Sequence, residues 1–416
     1  MRRALIAAVA SLSLGLGVAG LAAPAMAAGP VPGTQFGMHV PTISQGSDPV
    51  IPYGAIRLWD SGISWGQIQK SKGEFWWTGM DQAIGNANKQ GVQILYVLGS
   101  TPTWAATNKK QGTYPNKGAA SMPDLAAWKT WVSAVVARYS DSIESYQIWN
   151  EANLSTFWQG TPKQMAQLTQ AAAQIIRAGD PTAKIVAASS TVRLQSAYKK
   201  FFPAYMKELK KLGWPVDVIS AHTYPAGNGG PAERAVNIIR VKADMVKAGV
   251  PSSKPFWDTE INYGIKGPGS TPGQTISGPD AASDVARTYL DNILLGVDRA
   301  YWYFWGPANS LLGITMQSGT TGAIGYQNVS SWLKNAYYTC TPGAVNVCQL
   351  GDYAKPEVVV WSAKSSGTFK VPVNATLQCD ALGTCSNVSA GATVTIGNMP
   401  LWFGTSPKNI ANQSGS

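Results

Sequence analysis

From Thr34 onward the chain alternates short apolar runs with longer segments of helical period, a pattern typical of strand and helix units around a parallel sheet. Eight runs are predicted to be strands, over residues 35–40, 55–59, 93–98, 145–149, 184–188, 216–221, 255–258 and 300–305. The segments between and after them predict helices over residues 77–90, 124–139, 162–178, 198–212, 231–248, 280–295 and 327–338. Eight such units over roughly 250 residues predict an α/β fold, a (β/α)8 TIM barrel.

A doubly wound open sheet is the competing fold for this alternation. It is disfavoured because no Gly-x-Gly-x-x-Gly turn follows the first strand, and because open sheets usually contain fewer strands. We therefore expect the C-terminal ends of eight strands to converge on one mouth, where residues remote in the chain meet.

The composition changes after residue 338, where the predicted barrel (28–338) ends. Residues 339–405 lack helical period and contain alternating runs at 357–362, 368–373 and 392–396, separated by Gly, Ser, Asn and Pro. We expect a small all-β domain there, which is either a substrate-binding module or a clasp against the barrel. The polar residues 406–416 are expected to form a disordered tail.

All four cysteines of the chain lie in this C-terminal region, at Cys340, Cys348, Cys379 and Cys385. An even number favours disulfide bonds, and four cysteines allow three pairings. The local pairs Cys340–Cys348 and Cys379–Cys385 are predicted, because each closes a short loop that contains Gly or Pro. A zinc site is the alternative, and it is disfavoured because both histidines of the chain lie far upstream.

Residues 1–27 have the pattern of a secretory signal peptide. They combine Met1-Arg2-Arg3, an apolar run to Ala23 and the small-x-small site Ala25-Met26-Ala27. A membrane anchor is disfavoured because serines and glycines interrupt the run and no cysteine follows it for lipid attachment. We expect a secreted protein, extracellular or associated with the cell wall, with no membrane insertion.

The charge and the aromatic content indicate the kind of partner. The formal net charge is +11, but only 13% of the residues are charged and no long basic block occurs, so nucleic-acid binding is not expected. Loose association with an anionic cell wall stays open. The 16 tryptophans and 16 tyrosines favour a carbohydrate partner, because indole rings cover the apolar faces of sugars, although most of these rings are expected in the core.

Two predicted strands lead to a glutamate at the mouth of the barrel. The fourth strand ends on Asn150 and Glu151, and the seventh leads to Glu260. Two carboxyl groups are the minimum for splitting a glycosidic bond, since one protonates the leaving oxygen and the other attacks or activates water. Asp258 is expected to face the same side as Glu260, one layer deeper, in a structural role. No metal-ligating pattern is visible, and this chemistry needs no metal or cofactor.

Six motifs carry a resemblance to a known family: Ile56-Arg57-Leu58-Trp59, Gly73-Glu74-Phe75-Trp76-Trp77, Thr101-Pro102-Thr103-Trp104, Trp149-Asn150-Glu151, Ile219-Ser220-Ala221-His222-Thr223-Tyr224 and Trp257-Asp258-Thr259-Glu260. With them the chain resembles a clan A glycoside hydrolase, most of all family 39, the β-xylosidases and their relatives. The resemblance implies that Glu151 is the acid/base and Glu260 the nucleophile of a retaining mechanism. The chain departs from family 39 in its short start and its compact cysteine-bearing end, which leaves the substrate open.

Further polar and aromatic residues fall at the mouths of the predicted strands. Arg57 and Tyr224 are expected to keep Glu260 ionised, whereas apolar neighbours raise the pKa of Glu151. Asn150 resembles the clan's asparagine that binds the sugar 2-hydroxyl, although a turn residue is the alternative. The other substrate-binding candidates are His39, Asp60, Trp104, His222, Trp302 and Trp305. Trp305 is expected under the reacting sugar, and each of the six has a core or turn role as its alternative.

The predicted function is a secreted retaining glycosidase that acts on β-linked glycosides of wall polysaccharides or oligosaccharides, as β-xylosidases do. Three alternatives stay open. They are the same chemistry on a bacterial wall glycan containing arabinose or galactofuranose, transfer to a sugar instead of water, and a catalytically silent carbohydrate-binding barrel. The presence of both glutamates disfavours the last of these.

Overall fold

The structure is a computed structural model that describes residues 29–267, 273–351, 357–362 and 366–406. The predicted signal peptide and nearly all of the predicted tail lie outside the described residues. Within the described ranges, no helix has both the length and the apolar character needed to cross a membrane.

The first sheet contains eight parallel strands in the order β5-β4-β3-β2-β1-β8-β7-β6. They are β1 (Phe36–Met38), β2 (Ala55–Leu58), β3 (Gln93–Leu98), β4 (Ser145–Ile148), β5 (Lys184–Val186), β6 (Ile219–His222), β7 (Phe256–Ile261) and β8 (Arg299–Trp302). Parallel bridges from Val186 to Val218 and from Thr191 to His222 join the two ends of the sheet. The sheet is therefore a nearly closed barrel, and the predicted (β/α)8 architecture is confirmed.

Helices alternate with these strands. They are α1 (Trp65–Ile68), α2 (Thr78–Lys89), α3 (Leu125–Tyr139), α4 (Pro162–Gly179), α5 (Gln195–Lys211), α6 (Pro231–Ala248), α7 (Gly278–Leu295) and α8 (Thr321–Leu333). Helix α4 begins with a capping box in which the hydroxyl of Thr161 accepts from the N–H of Gln164 at 3.2 Å. Helix α6 ends where Gly249 takes a left-handed conformation (φ 74°), which costs little without a Cβ.

The closing helix α8 lies earlier in the chain than residues 327–338, where it was predicted. Its first turn is capped by Thr320, whose hydroxyl accepts from the N–H of Ala323 at 3.3 Å. Gly325 obscured the helix in the sequence, because glycine is a poor helix former. A Cβ at Gly325 would lie 2.5 Å from the carbonyl oxygen of Ala282 in α7, so close packing of the two helices requires glycine.

The barrel interior is layered. An apolar layer consists of Ala55, Leu95, Val186, Val218, Trp257 and Tyr301. Toward the C-terminal ends of the strands a polar layer follows, in which Gln147 donates to the hydroxyls of Ser220 (2.8 Å) and Thr259 (3.1 Å). Gln147 accepts from Nε of Arg57 at 2.7 Å. Since these buried groups satisfy one another, they form a rigid base beneath the mouth.

The C-terminal strands are antiparallel. They are β9 (Tyr338–Thr341), β10 (Val345–Leu350), β11 (Glu357–Ser362), β12 (Gly367–Lys370), β13 (Leu377–Asp380), β14 (Cys385–Asn387), β15 (Thr393–Ile396) and β16 (Leu401–Gly404). Six of them form one sheet, and β12 pairs with β15. The disulfides Cys340–Cys348 and Cys379–Cys385 are present, which confirms the predicted pairing.

This β-domain packs on helices α7 and α8 of the barrel. Its fully buried Trp361 donates from Nε1 to a carboxylate oxygen of Asp291 at 2.9 Å. Asn328 of α8 donates to the carbonyl of Ala381 at 3.0 Å. Buried side chains of both parts belong to one continuous hydrophobic core, an arrangement that favours the clasp among the two roles considered for this domain.

Candidate active site

Strand β4 carries Glu151 to the C-terminal face of the barrel. After the strand ends at Ile148, Trp149 (φ 75°) and Glu151 (φ 37°) take positive φ values that are uncommon for residues other than glycine. The buried indole of Trp149 donates to the carbonyl of Phe157 at 2.7 Å. This anchored turn directs the Glu151 side chain into a cavity at the mouth.

Glu260 reaches the same cavity because β7 is irregular. In the pairing of β6 with β7, Ala221 lies opposite Asp258, but the next residue, His222, lies opposite Glu260. One residue of β7 is therefore extra, which is a β-bulge. Asp258 instead bonds to the guanidinium of Arg234 on helix α6, at 2.8 Å. The expectation that Asp258 faces the same side as Glu260 is therefore wrong, because the bulge reverses the alternation of side chains.

The two glutamates face each other across the cavity. One oxygen of each carboxyl group and one ring nitrogen of His222 all lie within 4.8 Å of one another. Nδ1 of His222 is 3.0 Å from Oε1 of Glu151 and 3.3 Å from Oε2 of Glu260. A single imidazole therefore contacts both carboxyl groups.

A fully buried guanidinium holds Glu260 from the side of the barrel interior. Arg57 donates to Oε1 of Glu260 at 2.6 Å and to Oδ1 of Asn150 at 2.7 Å. The hydroxyl of Tyr224 donates to the other carboxylate oxygen of Glu260 at 3.0 Å. Both oxygens of Glu260 thus accept hydrogen bonds, one of them from a group that stays cationic.

Burial governs the proton affinity of both carboxyl groups. It raises the pKa of Glu151 from 4.5 to about 7, against the opposing charges of Arg193 and Arg57. Burial also raises the pKa of Glu260, although His222 and Arg57 oppose the rise, so the expected depression by Arg57 does not prevail. Two buried carboxyl groups this close favour holding one proton between them. Because Arg57 bonds directly to Glu260, the negative charge is favoured there and the proton on Glu151.

Both histidines act from buried positions. Burial lowers the pKa of His222 to about 4, so its ring is neutral near pH 7. Burial likewise lowers the pKa of His39, whose Nε2 lies 3.0 Å from the carbonyl oxygen of Thr259. His222 contacts the carboxyl pair itself, whereas His39 supports the backbone next to Glu260.

The cavity has a volume of about 390 Å³, which is within the range of small-molecule sites. Its lining consists of Pro41, Trp59, Asp60, Tyr114, Asn150, Glu151, Phe157, Arg193, Tyr224, Glu260, Ile265, Gly267, Tyr303, Phe304 and Leu311. Asp60 accepts from the hydroxyls of Tyr303 (2.5 Å) and Tyr114 (3.2 Å). Burial raises the pKa of Asp60, while these hydrogen bonds oppose the rise. The wall beside Asp60 is therefore fixed by two tyrosines.

The structure brings most of the predicted site residues together. Five of them line the cavity, namely Asp60, Asn150, Glu151, Tyr224 and Glu260. Arg57 and His222 contact the glutamates from beneath. The three predicted tryptophans are not among the described residues that line the cavity: Trp302 is fully buried, Trp104 donates to the carbonyl of Gln69, and Trp305 is half-buried. The prediction that these indoles form the floor and walls does not hold for this cavity.

The error at β8 has a simple cause. The aromatic run 300–305 was predicted as one strand, but β8 ends at Trp302, whose side chain packs in the core next to Tyr263. Tyr303 and Phe304 follow the strand and line the cavity instead. The aromatic run was thus a usable signal, although the end of the strand decides which of its rings face the mouth.

Other lining residues gave weaker signals in the sequence. Tyr114 and Phe157 lie in loops after β3 and β4, and Arg193 lies in the loop after β5. Nothing in their spacing relates them to the glutamates, because loop conformation brings them to the mouth.

Glu151, His222 and Glu260 also have the spacing of a possible metal site. The Arg57 guanidinium already places a positive charge 2.6 Å from Oε1 of Glu260, and it would repel a divalent cation at that oxygen. The donor set therefore fits proton chemistry better than metal binding.

A barrel of eight parallel strands with two facing carboxyl groups at its C-terminal mouth is the arrangement of a glycoside-cleaving enzyme. The family model described as the glycosyl hydrolase catalytic core matches residues 73–304, more than half of the chain, and the chain belongs to this family. The predicted resemblance to glycoside hydrolases is confirmed. No curated protein sequence matches the chain.

Solved structures show the same fold. A family 39 glycoside hydrolase from Bacteroides cellulosilyticus has a TM-score of 0.65 and 16% identity over 91% of this chain and 81% of that chain. A family 39 β-xylosidase from Caulobacter crescentus has a TM-score of 0.66 and 16% identity, covering 91% and 98%. A family 30 endoxylanase from Clostridium papyrosolvens has a TM-score of 0.58 and 14% identity, covering 89% and 94%. At these identities the similarity is one of fold.

Proposed function

We propose that this protein is a secreted retaining glycosidase in which Glu260 is the nucleophile and Glu151 the acid/base. The observation that carries the proposal is the approach of the two carboxyl groups, whose oxygens lie within 4.8 Å of each other. Retaining enzymes place their carboxyl groups about 5–5.5 Å apart, whereas inverting enzymes need about 6.5–9.5 Å to admit a water molecule.

The two environments fit the two roles. In the first step Glu260 attacks the anomeric carbon, and the bond to the leaving oxygen breaks while Glu151 gives that oxygen its proton. In the second step water attacks the same carbon, the bond to Glu260 breaks, and Glu151 takes the proton of the water. Arg57 and Tyr224 hydrogen-bond Glu260, which favours its ionised form before attack.

The remaining polar groups serve to bind the sugar. Asn150 is oriented by Arg57 and is assigned to the 2-hydroxyl, where a hydrogen bond strengthens as the ring approaches the transition state. Asp60 keeps acceptor capacity beyond its two tyrosine partners and is assigned to other sugar hydroxyls. Tyr303 and Phe304, which line the cavity, supply the ring surface that was expected from Trp302 and Trp305.

For the substrate we propose a β-linked glycoside of a wall polysaccharide or oligosaccharide, and xylosides are the preferred candidates. Two of the structures with this fold are named as a β-xylosidase and an endoxylanase. The N-terminal segment and the two disulfides support secretion.

The test is a panel of aryl β-xylosides, β-glucosides and β-galactofuranosides, and aryl α-arabinofuranosides, with the anomer of the first product followed by proton NMR. Wild type should release the aryl group from at least one donor with retention of configuration. Glu151→Ala should lower the rate by about 10²–10⁴-fold and Glu260→Ala by at least as much, because each loses a reacting group. Exposed Glu74→Ala is the matched control and should retain activity.

Azide separates the two roles. With Glu151→Ala it should attack the glycosyl intermediate and give a glycosyl azide of retained configuration, whereas with Glu260→Ala it should give the opposite anomer. An inverted wild-type product would contradict the retaining assignment. Binding without release from any donor would favour the silent barrel.

A further inference from the structure

Arg193 is a cation in the wall of the same cavity, and the sequence pattern gave it no role. It lies in the loop after β5, is only 7% exposed and lines the cavity together with Glu151. The cavity walls are otherwise acidic or aromatic at several positions. A guanidinium in the wall of the cavity that Glu151 enters stabilises the ionised form of a nearby carboxyl group.

The loop that carries Arg193 is fastened to the segment that carries Glu151. The backbone N–H of Glu151 donates to the hydroxyl of Ser189 at 2.9 Å. The side-chain amide of Asn153 makes two hydrogen bonds with the backbone of Thr191. Its Nδ2 donates to the Thr191 carbonyl (3.0 Å), and its Oδ1 accepts from the Thr191 N–H (2.9 Å). Arg193 follows two residues later, so its position relative to Glu151 is set by these bonds.

Gly267, which lines the same cavity, makes room for the guanidinium. A Cβ at Gly267 would lie 2.4 Å from Nη2 of Arg193, closer than real side chains approach. The guanidinium therefore packs against the backbone of Gly267 and is confined there. Together with the fastened loop, this confinement fixes the cation in the wall of the cavity that Glu151 also lines.

We propose that Arg193 is a positioning residue for the proton transfers of Glu151, and that its confined guanidinium stabilises the carboxylate which must take a proton from water in the second step. The inference rests on the proposed acid/base role of Glu151. In the first step the proton of Glu151 goes to the leaving oxygen, which also takes the electron pair of the broken bond. In the second step the water oxygen bonds to the anomeric carbon, its proton goes to Glu151, and the electron pair returns to Glu260.

The groups around Glu151 show why Arg193, as a second cation besides Arg57, affects the ionisation of Glu151. His222 faces it from β6 at 3.0 Å but is neutral, and Glu260 from β7 and Asp60 from the loop after β2 add negative charge. Burial raises the pKa of Glu151, and Arg193 is the largest opposing influence, ahead of Thr191 and Arg57. Without Arg193, Glu151 would bind its proton more tightly. Less of Glu151 would then be ionised and able to accept a proton from water.

The experiment compares Arg193→Gln and Arg193→Lys with wild type through the pH dependence of kcat/KM on an aryl glycoside. The alkaline limb reports loss of the acid proton of Glu151. In Arg193→Gln it should move up by about one pH unit, since the opposing charge is gone, and Arg193→Lys should restore most of the shift because it keeps a cation.

A dinitrophenyl glycoside tests the second step directly. Its leaving group needs no proton, so hydrolysis of the intermediate limits the rate and requires ionised Glu151. The acidic limb of kcat with this donor reports the ionisation of Glu151 in the intermediate. It should move to higher pH in Arg193→Gln, because the cation that stabilises the carboxylate is gone. Arg177→Gln, at the other end of the barrel, is the matched control and should leave both measurements unchanged.

An alkaline limb that stays in place in Arg193→Gln would overturn the inference. So would equal loss of activity in the Lys and Gln variants without any shift, because that pattern indicates a structural role alone. Neither result would affect the assignment of Glu151, which depends on the azide experiment with Glu151→Ala. Conversely, if azide does not restore activity to Glu151→Ala, both the acid/base assignment of Glu151 and the inference about Arg193 fail.

Discussion

At the scale of single residues, the site separates two chemically identical side chains by their neighbours. Glu260 accepts from a guanidinium and a phenol, whereas Glu151 lies beside a neutral imidazole. Burial raises the pKa of both carboxyl groups. The negative charge is favoured on Glu260, because Arg57 bonds directly to it. A resting state with one proton and one negative charge is what the proposed retaining reaction needs at its start.

The raised pKa of Glu151 predicts a cost in stability. The folded protein holds a proton that the unfolded chain releases above about pH 4.5, so the free energy of unfolding should fall as the pH rises from about 4.5 to about 7. In Glu151→Gln the side chain is neutral at every pH, so this loss should not occur. At high pH the free energy of unfolding of the variant should therefore exceed that of wild type by at most about 3 kcal/mol. Thermal unfolding at pH 5 and pH 8 measures the difference.

Glu151→Gln should therefore have a higher melting temperature than wild type at pH 8, and nearly the same melting temperature at pH 5. The exposed change Glu74→Gln serves as its control, with the same loss of one carboxyl group. An equal effect of Glu151→Gln at both pH values would argue against a proton held by the folded state.

At the scale of secondary structure, the bulge in β7 sends two acidic side chains to different places. Glu260 enters the cavity, while Asp258 turns outward to Arg234 and also accepts from the N–H of Thr223 at 3.0 Å. Arg234 in turn donates to Asn292 of α7 at 2.7 Å. One buried ion pair therefore ties β7 to helices α6 and α7, directly behind the site.

This ion pair yields a prediction about stability. Asp258→Ala should lower the free energy of unfolding by about 3–5 kcal/mol, because fully buried Arg234 would lose its carboxylate partner. Glu208→Ala, which removes a surface pair with Lys211, should cost no more than about 1 kcal/mol. Urea denaturation measures both changes, and comparable midpoints in the two variants would contradict the importance of the buried pair.

At the scale of the whole molecule, the barrel and the β-domain share a core. Trp361 of the β-domain is bonded to Asp291 of α7, and the apolar side chains around both belong to one cluster. A domain attached in this way stabilises the outer helices of the barrel. It need not contact substrate to be required for activity.

The shared core predicts that the two parts unfold together. Trp361→Ala should lower stability by about 3–5 kcal/mol and still give a single calorimetric transition. Amide hydrogen exchange should rise in α7 as well as in the β-domain. Val373→Ala, 80% exposed in the same domain, is the control. Two separate transitions, or exchange confined to the β-domain, would show that the parts are independent.

The amino-acid pattern was enough to predict the repeating strand and helix units, both disulfides and the positions of the two glutamates at strand ends. Each depends on local periodicity or on short loops, which neighbouring residues fix. It also identified the residues that hold the pair, Arg57, His222 and Tyr224, through their place at the mouth of predicted strands.

The directions of the side chains near the site depend on the folded chain and were not predictable from the pattern. The bulge in β7 separates Asp258 from Glu260, and the early end of β8 exchanges Trp302 for Tyr303 at the cavity wall. The position of Arg193 depends on loop bonds to the segment of Glu151 and on the missing side chain of Gly267. These features arise from contacts between distant segments, and a single extra residue in a strand reverses a pattern that periodicity assumes to be regular.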